Sequence, residues 1–157
     1  MFTEEEKPLL TGTREEIETF VDCDRCLVVD WQGSEEEIID DLIHFLPDNS
    51  LIYEQSFLET DTMEMIIKFL GREDTISLPF QPQNNFRILL RVWKIIQPDY
   101  NIKLFRCTDG SDTLAFLLRS SEWWTSYQKS YPEQYSKVFR DLSKLCKLNK
   151  PWWKFWG

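Results

Sequence analysis

Glycine and long apolar runs are scarce in this chain of 157 residues. The five glycines are isolated from one another, so they cannot form the glycine-rich loops that cradle phosphates. The longest apolar run, Leu114 to Leu118, is far shorter than the roughly 18 residues that a membrane-spanning helix needs. The sequence therefore predicts neither a phosphate-binding loop of that type nor a membrane-spanning helix.

Residue types that hold metals are also scarce. The only histidine is His44, and the four cysteines contain one pair at CxxC spacing, Cys23 and Cys26. Because a structural zinc site needs about four ligands, we predict neither a metal site nor a cofactor. A nucleophilic cysteine would need a nearby base, and exposed carboxylates keep ordinary pKa values. We therefore predict no catalytic residue.

The compartment is suggested by cysteine usage and by the first residues. Four cysteines are too few for a secreted domain of this size held together by disulfides. The start, Met1 to Glu6, is acidic and lacks the basic-then-apolar order of a secretory signal. We therefore expect a cytoplasmic protein with reduced thiols.

Charge is distributed unevenly along the chain. Residues 1–66 contain 19 acidic and 3 basic side chains, whereas residues 67–157 contain 8 acidic and 15 basic ones. The overall net charge of −9 argues against a general nucleic-acid binder, which needs basic residues against phosphates. Three explanations remain open for the asymmetry: solvated helical faces, attraction between the two halves, and a negative surface that steers a cationic partner.

Several helices are predicted by capping boxes and apolar stripes. The boxes Thr13 to Glu16 and Ser34 to Glu37 predict helices over 14–22 and 34–46. Further helices are expected between residues 86 and 96 and after Ser120 or Ser121. The last predicted helix begins near Pro132, and its apolar stripe comprises Tyr135, Val138, Phe139, Leu142 and Leu145.

Alternating and β-branched segments predict the strands. The strands are expected over 26–31, 51–58, 63–69, 74–79, 100–106 and 113–118. The tetrad Gly71 to Asp74 indicates the turn of a hairpin, and a helix over 63–70 is the alternative. This order predicts an α+β fold, with an antiparallel or mixed sheet of about five to six strands and helices packed mainly on one face. We expect a single globular domain over 1–149 and an aromatic C-terminal tail over 150–157.

Tryptophan is concentrated at two places. Trp123 and Trp124 are adjacent on a predicted helix, so their side chains point about 100° apart. Either both are buried beside the sheet, or one anchors an interface. The tail over 150–157 contains four aromatic rings and two lysines. Three roles are open for it: covering an apolar groove, inserting into a partner, or lying at a membrane interface.

The stretch CLVVDWQGSEEEII, from Cys26 to Ile39, combines a strand, a turn and an acidic helix. This layout resembles that of small bacterial immunity proteins, which neutralise a cognate toxin of contact-dependent or polymorphic toxin systems. The strand that leads into Ser120 to Trp124 adds to the resemblance, which is to no particular immunity family. It implies a non-catalytic cytoplasmic protein that binds one toxin domain and blocks its active site or its docking surface.

The expected partner is a cognate toxin with a basic surface, such as a nuclease; we expect no nucleic-acid or membrane partner. The predicted partner-binding residues are Asp30, Trp31, Glu35, Glu36, Glu37, Asp40, Asp41, Trp123 and Trp124. Two other function classes stay open. One is a small enzyme, a hydrolase or transferase, whose site the sequence does not reveal. The other is a peripheral adaptor that uses the tryptophan-rich tail.

Overall fold

A computed structural model describes residues 2–30, 33–59, 61–79 and 84–143. These residues form six α-helices and seven strands, which confirms the predicted α+β class. The strands form two sheets, of four and three strands, rather than one sheet of five to six. The chain divides into two compact units where the sequence indicated one domain. Unit 1 comprises residues 1–28 with 99–157, and unit 2 comprises residues 29–98. The predicted tail over 150–157 lies outside the described residues.

The elements follow one another in this order. The first half contains α1 (Lys7–Thr11), α2 (Arg14–Val21), β1 (Leu27–Asp30), α3 (Glu35–Phe45), β2 (Leu51–Leu58), β3 (Thr62–Phe69), β4 (Arg72–Pro79) and α4 (Asn84–Ile95). The second half contains β5 (Tyr100–Phe105), β6 (Thr113–Ser120), α5 (Ser121–Ser130), α6 (Pro132–Val138) and β7 (Phe139–Asp141). Short 3₁₀ turns cover Glu4–Glu6 and Arg106–Thr108.

Unit 2 is a three-stranded antiparallel meander with two helices. The strand order is β2–β3–β4, and α4 contacts both β4 and β3 while α3 contacts α4. Every second side chain of β3 is buried, from Met63 to Phe69, and the intervening ones are half-exposed. The buried positions all point to one side of the sheet. This sheet therefore has its helices on one face, as predicted.

The β3–β4 hairpin turns at Leu70 and Gly71, not at the predicted tetrad Gly71 to Asp74. Phe69 pairs directly with Arg72, so only two residues connect the strands. Leu70 has φ 46° and Gly71 has φ 82°, and a two-residue turn with both φ values positive matches the twist of the flanking strands. The same pairing makes 62–69 a strand, which excludes the alternative of a helix over 63–70.

The predicted last helix ends early, so its proposed stripe through Phe139 is wrong. α6 stops at Val138, and Phe139–Asp141 forms β7, which pairs antiparallel with β5. Phe139 lies opposite Phe105, and the two ring centroids are 4.8 Å apart. Pairing with β5 satisfies backbone groups of an edge strand, and this long-range gain outweighs the local helical periodicity.

The N-terminal residues pack into the core of unit 1, although no sequence pattern predicted this. Glu6 is buried, and its carboxylate accepts from Arg119 Nε at 3.1 Å and from Trp123 Nε1 at 3.4 Å. Leu9 is fully buried, and its carbonyl accepts from the hydroxyl of Tyr127 at 2.5 Å. The buried polar groups of this segment are thus paired with α5 and β6, which holds α1 in place.

We expect Tyr127→Phe to lower the free energy of unfolding by about 1–3 kcal/mol, because the buried carbonyl of Leu9 would lose its donor. Urea denaturation followed by tryptophan fluorescence measures the change. The matched control is Tyr53→Phe, since the Tyr53 hydroxyl is half-exposed and lies 3.4 Å from its acceptor. The control should lose less than about 0.5 kcal/mol. Equal losses in the two variants would contradict the role assigned to Tyr127.

Candidate protein-binding surface

The acidic helix α3 begins at the predicted capping box. The Ser34 hydroxyl accepts from the Glu37 backbone N–H at 3.3 Å, and the Glu37 carboxylate accepts from the Ser34 N–H at 3.1 Å. On the opposite side, Ile38, Ile39 and Leu42 are at most 3% exposed. The helix is therefore held at its start by the cap and along its length by an apolar stripe.

Four carboxylates form an exposed surface on α3, which we call the acidic face. Its members are Glu36, Glu37, Asp40 and Asp41, all of them exposed. At 100° per residue, their positions span about 140° of the helix circumference. Glu35 lies one turn before the buried Ile39, on the apolar side, and is only half-exposed. Four of the five acidic contacts predicted on this helix therefore lie together, and Glu35 lies apart from them.

The acidic face pairs with no lysine or arginine in the described part of the chain. Other carboxylates of the acidic first half behave differently. Glu5 pairs with Arg25 at 2.7 Å, and Glu6 pairs with Arg119 at 3.1 Å. Attraction between distant parts of the chain, one of the three explanations for the charge asymmetry, thus accounts for Glu6. It does not account for the acidic face.

The two units differ in net charge. Unit 2 contains 13 acidic and 5 basic side chains, a net charge of −8, whereas unit 1 contains 14 acidic and 13 basic ones, a net charge of −1. Almost all of the net charge of −9 therefore belongs to residues 29–98. An unbalanced field of this kind attracts positively charged macromolecules from a distance.

Burial and neighbouring like charges both act on the ionisable groups of the acidic face. Burial, followed by the charges of Glu37 and Asp40, raises the pKa of the Asp41 carboxyl. Tyr53, from β2, donates its hydroxyl to Asp40 Oδ1 at 3.4 Å. Burial and the charges of Asp40 and Glu36 raise the pKa of the Tyr53 hydroxyl. The chain therefore keeps several like charges close together at a cost in electrostatic energy.

Asp30 lies near the start of α3. Its side chain is exposed, and its carbonyl accepts from the Gly33 N–H at 3.0 Å. Gly33 fits closely here: a Cβ atom would lie 3.2 Å from the Asp30 carbonyl oxygen and 3.3 Å from Glu37 Oε2. Asp30 therefore lies beside the start of the acidic helix, as predicted. Trp31 lies outside the described residues.

The two adjacent tryptophans of α5 belong to the core cluster of unit 1. Trp124 is 4% exposed, and its Nε1 donates to the Asn101 carbonyl at 3.0 Å. Trp123 is half-buried and stacks on Tyr127 with ring centroids 5.1 Å apart. Because Trp124 presents almost no surface, its predicted role as an interface anchor is incompatible with its position. Trp123 retains a partly exposed ring.

The structure reveals exposed apolar residues that the sequence analysis did not select. Ile52, Phe57 and Leu58 in β2 are 50%, 63% and 45% exposed. β2 pairs with β3 on one side and lies at the edge of its sheet. Tyr53 links this strand to the acidic face, and Phe57 lies about 13 Å farther along it. A signal was present: consecutive residues of a strand point to opposite faces, so Phe57 and Leu58 could not both enter one core.

Within the described ranges, no group of three or more His, Cys, Asp or Glu side chains is arranged to hold a metal ion. Of the helices described, none has both the length and the apolar character that crossing a bilayer requires. Comparison of the chain with protein-family models, with curated proteins and with solved structures gave no match.

We expect the carboxyl of Asp41 to titrate above its ordinary pKa, as measured by carboxyl-detected NMR over acid pH. Glu37→Gln should lower this pKa, because glutamine preserves the cap while it removes the neighbouring charge. Since the folded-state pKa exceeds the unfolded one, the stabilising contribution of this group is complete below the unfolded pKa and is lost as the pH rises through the folded pKa. Glu59→Gln is the control, and an unchanged Asp41 pKa in Glu37→Gln would contradict the repulsion.

Proposed function

We propose that this chain is an immunity protein, an antitoxin that binds and neutralises a cognate bacterial toxin domain in the cytoplasm. The observation that carries the proposal is the acidic face: four exposed carboxylates without basic partners among the described residues. A toxin with a basic surface, as nuclease toxins have, would supply the missing counter-charges. The resemblance of the strand, turn and acidic helix to immunity proteins points to the same class.

Solvation alone is a weaker explanation of the acidic face. A helix that needs charge only for solubility can space its carboxylates or mix them with lysine. Here burial, and after it the charges of Glu37 and Asp40, raise the pKa of the Asp41 carboxyl, so the folded chain holds these acids together at some cost. Local departures from favourable electrostatics are expected at functional sites, where binding of a partner offsets the cost.

The apolar residues of β2 give unit 2 a second kind of contact. Protein interfaces combine a desolvated apolar centre with a polar surround. The exposed Phe57 and Leu58 provide apolar surface in the unit that carries the acidic face. In this proposal, attraction to the carboxylates sets the association rate, and burial of the apolar side chains slows dissociation.

We expect the triple variant Glu36→Lys, Asp40→Lys and Asp41→Lys to bind the toxin domain at least about tenfold more weakly. The proposal predicts a toxin domain encoded beside the gene for this chain, and that domain is the probe, with calorimetry for affinity and co-expression for protection of growth. These three positions leave the Ser34–Glu37 cap intact. Circular dichroism should therefore report an unchanged fold.

The matched control makes the same change of net charge in unit 1, at the exposed residues Asp24, Asp112 and Glu133. It should keep its affinity within about twofold, because in this proposal the toxin docks on unit 2 and these three carboxylates belong to unit 1. If both triple variants lose affinity equally, overall charge is responsible and the acidic face is not the docking site. If the triple lysine variant of the acidic face still protects cells fully, the proposal is wrong.

We expect Phe57→Ser to raise the dissociation rate of the toxin complex by roughly tenfold and to leave the association rate within about twofold, since Phe57 lies on the same face of β2 as Tyr53. Surface plasmon resonance separates the two rates. Leu70→Asn is the control, since Leu70 is 62% exposed but lies in the β3–β4 turn at φ 46°. A change confined to the association rate, or an equal effect in the control, would exclude β2 as the apolar contact.

A further inference from the structure

Unit 1 contains a pocket whose charge is opposite to that of the chain. Its volume is about 290 Å³. Its lining residues are Gly12, Arg14, Ile17, Arg106, Cys107, Gln134, Lys137 and Val138. Three of these eight are basic and none is acidic, in a chain whose net charge is −9. The pocket therefore differs in chemistry from the acidic face, and it lies in the other unit.

Three segments that are distant in sequence build the walls. The end of α1 and the start of α2 supply one wall, the 3₁₀ turn Arg106–Thr108 the second, and α6 the third. Gln134 Nε2 donates to the Gly12 carbonyl at 3.1 Å, which joins α6 to the first wall. Gly12 is required by close packing, since a Cβ atom there would lie 2.2 Å from the Pro8 carbonyl oxygen. These contacts hold the walls of the pocket together.

Two of the three cations lack a carboxylate partner within the described ranges. Arg14 pairs with Glu18 at 2.8 Å. Arg106 uses its Nε to donate to the Phe139 carbonyl at 2.9 Å, which orients the guanidinium. Within the described ranges, Lys137 forms no ion pair and the two terminal nitrogens of Arg106 have no carboxylate partner. Four other bases of unit 1 have carboxylate partners: Arg25, Lys103, Arg119 and Arg140.

The floor of the pocket is apolar. Ile17 is 8% exposed and Val138 is 3% exposed, and the half-buried thiol of Cys107 lies beside them. Burial, and then the charge of Glu18, raise the pKa of the Cys107 thiol, so it stays neutral at physiological pH. Cationic side chains over an apolar floor suit a ligand with an anionic head and an apolar body.

We infer that this pocket binds a small phosphate monoester, with the phosphate held by Arg106 and Lys137 and the organic group packed on the apolar floor. Two cations without partners match the charge of about −2 that a phosphomonoester carries near neutral pH. An arginine fork suits phosphate oxygens, because several N–H groups donate at once. The volume is near the lower limit for ligand pockets, which favours an organic group of about one ring.

The test is an NMR titration of the ¹⁵N-labelled full chain with phenyl phosphate at low salt. We expect saturable shifts of the backbone amides of Arg106, Cys107 and Lys137, with a dissociation constant below about 1 mM. Inorganic phosphate should bind at least about fivefold more weakly, because it does not use the apolar floor. Occupancy should also slow alkylation of Cys107 by iodoacetamide relative to Cys23.

Lys137→Ala is the principal variant, because this side chain makes no ion pair in the described structure and its loss leaves the walls intact. It should raise the dissociation constant of phenyl phosphate by roughly tenfold, because one charge-assisted hydrogen bond is lost. Lys129→Ala, at an exposed position of α5 in the same unit, is the control and should not change the affinity. Arg106→Gln, which keeps a donor on the side chain, should weaken binding to a similar degree as Lys137→Ala.

Three results would overturn the inference: no saturable shift up to about 10 mM ligand, shifts that map away from the pocket, or equal losses in Lys137→Ala and Lys129→Ala. The inference does not depend on the proposed function. The acidic face lies on α3 in unit 2 and the pocket is lined by residues of unit 1, so failure of one proposal leaves the other standing.

Discussion

Burial of one side of α3 is what allows four like charges to remain on its other side. Ile38, Ile39 and Leu42 are almost fully buried, and each such side chain contributes about 1.5–3 kcal/mol. Repulsion between like charges one helical turn apart costs only about 0.2–0.5 kcal/mol per pair. Burial of the apolar stripe therefore stabilises the helix by much more than the repulsion destabilises it. A repulsive surface can be kept for binding because the core beneath it stabilises the helix.

The same balance explains why net charge alone is a poor guide to this chain. In unit 1 the acids and bases are nearly equal in number, and several form ion pairs such as that of Glu6 with Arg119. In unit 2 the acids exceed the bases by eight, and the four carboxylates of the acidic face pair with no base among the described residues. The acidic face and the basic pocket therefore differ in the sign of their charge. The net charge of the whole chain reveals neither the acidic face nor the basic pocket.

Local interactions made much of the fold predictable. The two capping boxes place the starts of α2 and α3, because each box joins groups only three residues apart. Alternation of apolar and polar residues places β3 and β4, since a strand with one buried face needs a period of two. The acidic face followed from the same local periodicity. Glu35 lies on the apolar side of the helix, because nearness in sequence does not ensure a shared side of the helix.

The failures concern contacts between distant residues. β7 replaced a predicted helical turn because the edge of β5 was available for pairing, which no local pattern of Phe139 records. Trp124 is enclosed by Asn101 and Phe139, which approach it from other elements. The division into two units follows which segments pack together, and residues 1–28 join 99–157 across an intervening unit.

The sequence alone determined where helices start, which strand residues alternate, and that carboxylates accumulate on α3. These features depend on neighbours within about one helical turn or one hairpin. Folding in three dimensions decided which acids are neutralised, which tryptophan is buried and where a basic pocket forms. Those outcomes rest on contacts such as Glu6 with Arg119 and Leu9 with Tyr127, which lie 113 and 118 residues apart. Hydrogen bonds and ion pairs act over a few ångströms of space, and the distance along the chain does not set them.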